Sequence, residues 1–207
     1  MTRHFIPVFI EACKLKIIVF GGGKVALRKC DFFREAEITV MAREILPELK
    51  AIVSRTIVSD IPDDVKQIID SYDMVIAATD DKELNCRIRD DALYMGINVN
   101  SAHGGGNILI PSVLSRDGFK VAVSSEGRNP SFPPYVVNEL ESFFDEKYDR
   151  MLDLMVEMRA VSKERIAEQK DRQAFQQAII NDRNIWDLVA AGDMDAARKE
   201  ALKKGGF

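Results

Sequence analysis

One stretch constrains this chain more than any other: IIVFGGGKVALRK, Ile17 to Lys29. An apolar, β-branched run ends in three consecutive glycines, and a basic helical segment follows at once. Gly21, Gly23 and Ala26 fit the pattern G-x-G-x-x-[GA], which belongs between a strand and a helix at the head of a nucleotide-binding α/β unit. Each position has a physical reason. Gly21 permits the tight turn, Gly23 lets backbone approach a ligand, and Ala26 lets the helix pack on the strand. The unpaired N–H groups at the helix start, with the helix dipole behind them, suit an anion such as a pyrophosphate. The residues of this turn, Gly21, Gly22, Gly23, Lys24, Val25 and Ala26, are therefore the candidate cofactor contacts.

The remainder of the first half alternates as such a unit requires. Short apolar runs at 15–20, 37–42, 55–60, 73–80 and 97–102 read as strands. Helical patterns lie between them at 24–35, 44–53, 63–72 and 81–96. Pro47 is expected to shorten the second of these, and Gly96 to end the last. The sum is a parallel sheet with helices on both faces. Asp80, with Glu83 three positions on, has the form of a helix-capping pair.

The pattern changes after Ala102. HGGGN (103–107) reads as a flexible glycine loop, and 107–127 as two strands around the turn Arg116-Asp117-Gly118. RNPSFPP connects to a helix expected from Tyr135. The chain is helical and highly charged from there on. Phe144, Tyr148, Met151, Met155 and Met158 recur at helical spacing, a stripe for packing on another helix. Asp193 is placed to cap the last helix. We expect a Rossmann-like domain over 1–112, a small α+β dimerisation segment over 113–148, and a helical C-terminal domain over 149–207. The middle segment is too small to cover both faces of its strands, so a homodimer is expected to supply the cover.

Composition narrows the function. A formal charge of −4 gives no reason to expect nucleic acid or an anionic membrane as partner. No apolar run is long enough to span a bilayer. The apolar patch near the start is short, broken by Pro7 and Glu11, and does not read as a signal peptide. A cytoplasmic location is expected. Three scattered cysteines argue against a disulfide framework, and two histidines against a His-rich metal centre. No metal ligands are assigned. The second strand ends in Met41-Ala42-Arg43, where an acidic ribose ligand usually stands. Arg43 could meet a 2′-phosphate or be a solvated surface residue, and spacing leaves NAD and NADP both open.

Taken together, the motifs resemble one family. VFGGGKVALRK, VIAATDDKELN (75–85), INVN followed by ILIPSVL, and KVAVSSEGRNPSF occur in the order seen in the precorrin-2 dehydrogenase family, which includes the dehydrogenase–ferrochelatase part of siroheme synthase. The likeness runs over about residues 5–148. It implies oxidation of precorrin-2 to sirohydrochlorin with hydride transfer to NAD, NADP not being excluded, and an interlocked homodimer. Some relatives also insert Fe2+.

Position in the alternating unit and this resemblance together suggest roles for named residues. Thr79 and Asp80 follow the fourth strand and are candidates for ribose or nicotinamide contact. The family commonly carries an aspartate shortly after the N-V pair. That position here is Ser101, and a serine needs an activating partner to act as a base. His103, two residues on, is the candidate proton acceptor. Ser101 and His103 are thus the catalytic candidates. Asn100, Ser124 and Arg128 are the candidates for binding the carboxylate-edged macrocycle. Asn129 replaces a family serine and removes any role for a hydroxyl there. Two alternatives stay open: a bifunctional enzyme that also inserts Fe2+, and a non-catalytic dinucleotide or tetrapyrrole binding module.

Overall fold

The structure is a computed structural model, and it describes residues 4–207. The chain forms two compact units that meet between Ile110 and Pro111.

The first unit opens with a single 3₁₀ turn, Ala12–Lys14, and is built on five parallel strands. These are β1 (Lys16–Phe20), β2 (Glu37–Ala42), β3 (Arg55–Val58), β4 (Met74–Ala77) and β5 (Asn98–Ser101), in the spatial order β3-β2-β1-β4-β5. Ile17 of β1 pairs with Ile38 on one side and Met74 on the other, so β1 is the central strand. That explains its composition. Ile17 to Phe20 are all fully buried, because both faces of the strand are covered. β3 lies at the edge and is largely exposed, which matches its weaker apolar run.

Alternation along β1 sorts the core into two layers. Ile17 and Val19 pack with Ala26 and Cys30 of α1 (Lys24–Phe32) on one face. Ile18 and Phe20 pack with Ile88 and Ala92 of α4 (Lys82–Tyr94) on the other. Burial pushes the Cys30 thiol up to about 12, so it is a packing residue. The two helical patterns between α1 and α4 shrink to single turns, α2 (Pro47–Lys50) and α3 (Lys66–Ile69). Pro47 sits at the first position of α2, where its missing N–H costs nothing, so it starts that helix rather than cutting one short. Gly96 ends the α4 region at φ +72°, as expected. The cap of α4 is Asp81, not Asp80. Its carboxylate accepts from Glu83 N–H at 2.8 Å and Leu84 N–H at 3.0 Å. The helix begins one residue later than the capping-pair reading supposed. The 103–107 loop is anchored rather than free: Asn107 Oδ1 accepts from Val99 N–H at 2.7 Å, and Ile108 N–H donates to Val99 C=O.

The second unit begins with an antiparallel pair, β6 (Ser112–Ser115) and β7 (Lys120–Val123), closed by Arg116 N–H to Phe119 C=O at 3.0 Å. Five helices follow: α5 (Phe132–Phe143), α6 (Glu146–Arg165), α7 (Gln169–Ile180), α8 (Arg183–Ala191) and α9 (Met194–Lys203). α5 starts at Phe132, three residues before the expected Tyr135. Prolines at the start of the helix lose only donors that would be unpaired there anyway. Phe144 lies in the break between α5 and α6, so the expected stripe starts at Tyr148 on α6. Met151, Leu154 and Met158 carry it into a core with Phe175, Ile179, Ile185, Val189, Ala197 and Ala201. Asp145, Asp182 and Asp193 cap α6, α8 and α9, the last as expected.

Candidate functional site

In the first unit the carboxyl ends of the five parallel strands define one edge, and the strand order reverses between β1 and β4. Ligands of open α/β sheets bind at such a switch point. The glycine turn sits there. Gly21 has φ +117°, and a Cβ on it would meet Ala78 O at 2.3 Å. The turn is therefore pressed against the end of β4, and no side chain fits between. Gly22 does something different from the expected ligand contact. Its C=O accepts from Leu46 N–H at 3.0 Å, and a Cβ on it would meet Glu44 O at 1.9 Å. It is the seat of the loop that follows β2. Gly23 faces open space, with nothing within 4 Å of its virtual Cβ. Gly23 is also the N-cap of α1. Among the described residues the N–H groups of Gly23, Lys24, Val25 and Ala26 find no acceptor. Ala26 is fully buried against β1. An open glycine at the head of a helix whose first amides are unpaired fits a dinucleotide pyrophosphate.

The neighbouring strand ends supply polar groups. Arg43, just after β2, pairs with Asp60, just after β3. Asp60, and more weakly Asp80, hold the Arg43 guanidinium firmly protonated. Spacing did not suggest Asp60. It is brought to Arg43 because β2 and β3 are parallel neighbours in register. After β4, Thr79 donates its N–H to Asn85 Oδ1 at 3.0 Å, and its hydroxyl lies 3.0 Å from Asp81 C=O and 2.9 Å from Asn85 Oδ1. Asp80 is exposed. The carboxyl of Asp81 is held below its ordinary range, chiefly by the Leu84 N–H.

After β5 the two catalytic candidates are adjacent but not coupled through the ring. Among the described residues Ser101 Oγ accepts only the backbone N–H of His103, at 3.4 Å. The imidazole Nδ1 of His103 instead meets Asn85 Nδ2 at 2.9 Å. Asn100, expected to face substrate, is instead turned into the unit, because its amide is already occupied. Its Oδ1 takes the Lys29 ammonium and its Nδ2 donates to Ile108 C=O at 2.9 Å, and the residue is 7% exposed. Burial lowers the Lys29 pKa, with a smaller push from Arg28. Asn85 and Lys29, like Asp60, have no role assigned from the sequence. Both lay inside quoted motifs, six residues after Thr79 and at the end of GGGKVALRK respectively.

Ser124 and Arg128 belong to the second unit. Ser124 Oγ accepts Glu126 N–H at 3.0 Å, and Glu126 and Gly127 both take positive φ, so the segment is a tight turn. Arg128 donates its backbone N–H to Ser125 C=O at 3.0 Å. Its guanidinium makes no ion pair or hydrogen bond among the described residues. Asn129 Oδ1 accepts Ser131 N–H at 2.9 Å. Among the described residues no cluster of histidine, cysteine and carboxylate groups forms a metal site, and no helix is long and apolar enough to cross a membrane.

Comparison with known proteins agrees with this geometry. Residues 8–112, about half of the chain, match the family model described as "Putative NAD(P)-binding". A precorrin-2 dehydrogenase of Methanosarcina barkeri is 27% identical over 96% of this chain and 92% of its own length. A siroheme synthase of Thioalkalivibrio sulfidiphilus is 32% identical over 97% of this chain, which spans only 42% of that protein. The solved structure of SirC, precorrin-2 dehydrogenase, superposes with a TM-score of 0.73 at 21% identity, covering 96% of this chain and 100% of that one, and it shows the shared fold. A chain whose nucleotide-binding half matches that model, and which aligns with these relatives over 96% and 97% of its length, belongs to the NAD(P)-binding family of precorrin-2 dehydrogenase and siroheme synthase.

Proposed function

We propose that this chain oxidises precorrin-2 to sirohydrochlorin in siroheme biosynthesis, with NAD as hydride acceptor. The observation that carries the reading is the amide cluster from Gly23 to Ala26 at the sheet's switch point, in a chain that aligns over its length with a precorrin-2 dehydrogenase. The dinucleotide, when bound, supplies the hydride-accepting ring. The unpaired amides from Gly23 to Ala26 would hold its pyrophosphate, and Thr79 and Asp80 after β4 would meet its ribose or nicotinamide. The residues at the ends of β4 and β5 would hold the substrate carbon in place for hydride transfer, and positioning can contribute much of the rate. The macrocycle gives up one hydride, and a proton leaves to solvent. Ser124 and Arg128 are assigned to the carboxylates of the substrate. Purified chain mixed anaerobically with precorrin-2 and NAD should form one NADH per sirohydrochlorin. NADH formation no faster than in the enzyme-free control would overturn the reading.

The preference for NAD rests on Asp60. It offers a carboxylate near the strand end where a ribose hydroxyl is usually received, and its charge offsets Arg43. A 2′-phosphate would gain from the arginine but be repelled by Asp60. Asp60→Asn should therefore raise NADP affinity about fivefold relative to NAD, the scale of an exposed charge pair. Arg43→Ala should reduce NADP binding more than NAD binding. Calorimetric titration with both dinucleotides reads the two ratios.

The working form is a cytoplasmic homodimer, assembled through residues 113–148, with 149–207 as a helical domain. On α5, Phe132, Tyr135 and Phe143 share one face and are each more than half exposed. Among the described residues no third strand joins the β6–β7 pair. Sedimentation should give twice the chain mass, and Tyr135→Glu with Phe143→Glu should give the monomer, with melting of the nucleotide unit retained.

A further inference from the structure

The hydrogen bonds around Asn85 fix more than its own position. Asn85 is fully buried, and its carboxamide faces backbone groups that cannot change role. Oδ1 accepts the Thr79 N–H at 3.0 Å, and Nδ2 donates to the Thr79 C=O at 2.9 Å. Turning the amide over would set donor against donor and acceptor against acceptor in a buried place, a loss on both sides. The second Nδ2 hydrogen is therefore committed to the atom it faces, His103 Nδ1 at 2.9 Å. That nitrogen must offer a lone pair. In the neutral ring the proton then resides on Nε2. Nε2 has no partner among the described residues, and His103 is exposed at the end of β5.

We propose that His103 is a substrate-binding N–H donor, held in its Nε2–H form by Asn85 as a positioning residue, and that it receives a carboxylate of the substrate rather than accepting a proton from it. The proposal rests on the precorrin-2 reading for the identity of that substrate, while the tautomer itself does not depend on it. A general base at Nε2 needs its lone pair there, and the Asn85 amide assigns the lone pair to the other nitrogen. The Ser101 hydroxyl accepts from the His103 main chain and makes no bond to the ring, so no serine–histidine pair competes for it. An Nε2–H without a partner among the described residues, on an exposed side chain in a loop pinned to β5, suits an anionic group at the rim of a macrocycle.

Two measurements test it. The chain has two histidines, so nitrogen spectra of histidine-labelled protein, assigned with a His4→Ala variant, report His103 alone. At alkaline pH the wild type should show Nε2 protonated and Nδ1 bare, with no exchange averaging. A tautomer mixture, or a proton on Nδ1, overturns the proposal without any substrate present. In turnover, His103→Ala should raise KM for precorrin-2 at least tenfold with kcat changed less than about threefold. His103→Gln, which keeps an N–H donor but no base, should stay within about threefold of wild type in both. A collapse of kcat in the glutamine variant would identify a proton acceptor and refute the donor role. If wild type makes no NADH, the catalytic reading fails while the spectra still decide the tautomer.

Discussion

Gly22→Ala is expected to unfold the nucleotide unit or leave it badly destabilised, although Gly22 is the middle and least conspicuous of the three glycines. Its virtual Cβ lies 1.9 Å from Glu44 O and 2.8 Å from Ile45 Cα. Both are backbone atoms, so no side chain can swing aside. Relief requires the turn after β1 to part from the loop after β2, and that breaks the Leu46 N–H to Gly22 C=O bond. The cost should be about 3 kcal/mol or more, the upper range for overpacking of a rigid site. Thermal denaturation should show the first transition lowered by more than about 6 °C, or absent. Gly21→Ala should behave alike for a second reason: its φ of +117° is strained for any L side chain, and Ala78 O stands 2.3 Å away. Unchanged melting of either variant would mean that the strand ends are not packed as described.

Gly23→Ala should do the opposite. Nothing lies within 4 Å of its virtual Cβ, and its φ of −92° is ordinary for alanine. Stability should stay within about 1 kcal/mol of wild type, since the loss of a favoured cap and the gain from a stiffer unfolded chain are of similar size. The methyl group, however, occupies the open side of the turn, where backbone must approach a pyrophosphate. Dinucleotide affinity should fall at least tenfold, or about 1.4 kcal/mol. The contrast between adjacent glycines, one lethal to the fold and one to binding, separates a ligand site from a merely tight turn. Gly23→Ala binding NAD as wild type does would remove the turn from the site.

Much of this was legible from the residues because the physics is local. A buried parallel strand reads as an unbroken apolar run, and Ile17 to Phe20 is one. The G-x-G-x-x-A spacing places a helix start beside a strand end, and α1 begins at Lys24. What was not legible depends on partners distant in sequence. The division of labour between Gly22 and Gly23 follows from where Glu44 and Leu46 pass, and spacing contains no trace of that. Asp60 reaches Arg43 only because β3 pairs with β2. Asn100 shows its neighbours a polar side chain in either orientation, and only Lys29 on α1 reveals that it points inward. The same holds for Asn85, whose hold on His103 needs α4 folded against the end of β5. The one-turn helices α2 and α3 were overextended because apolar periodicity continues past the residues that actually close hydrogen bonds.

The central claim is that the amides at the head of α1 grip the dinucleotide. Amide correlation spectra of labelled protein, recorded as NAD is added, test it most directly. The largest shifts should fall on Gly23, Lys24, Val25 and Ala26, with smaller ones at Thr79 and Asp80. Saturating NAD that leaves those amides unmoved, or moves only resonances of the helical unit, would contradict it.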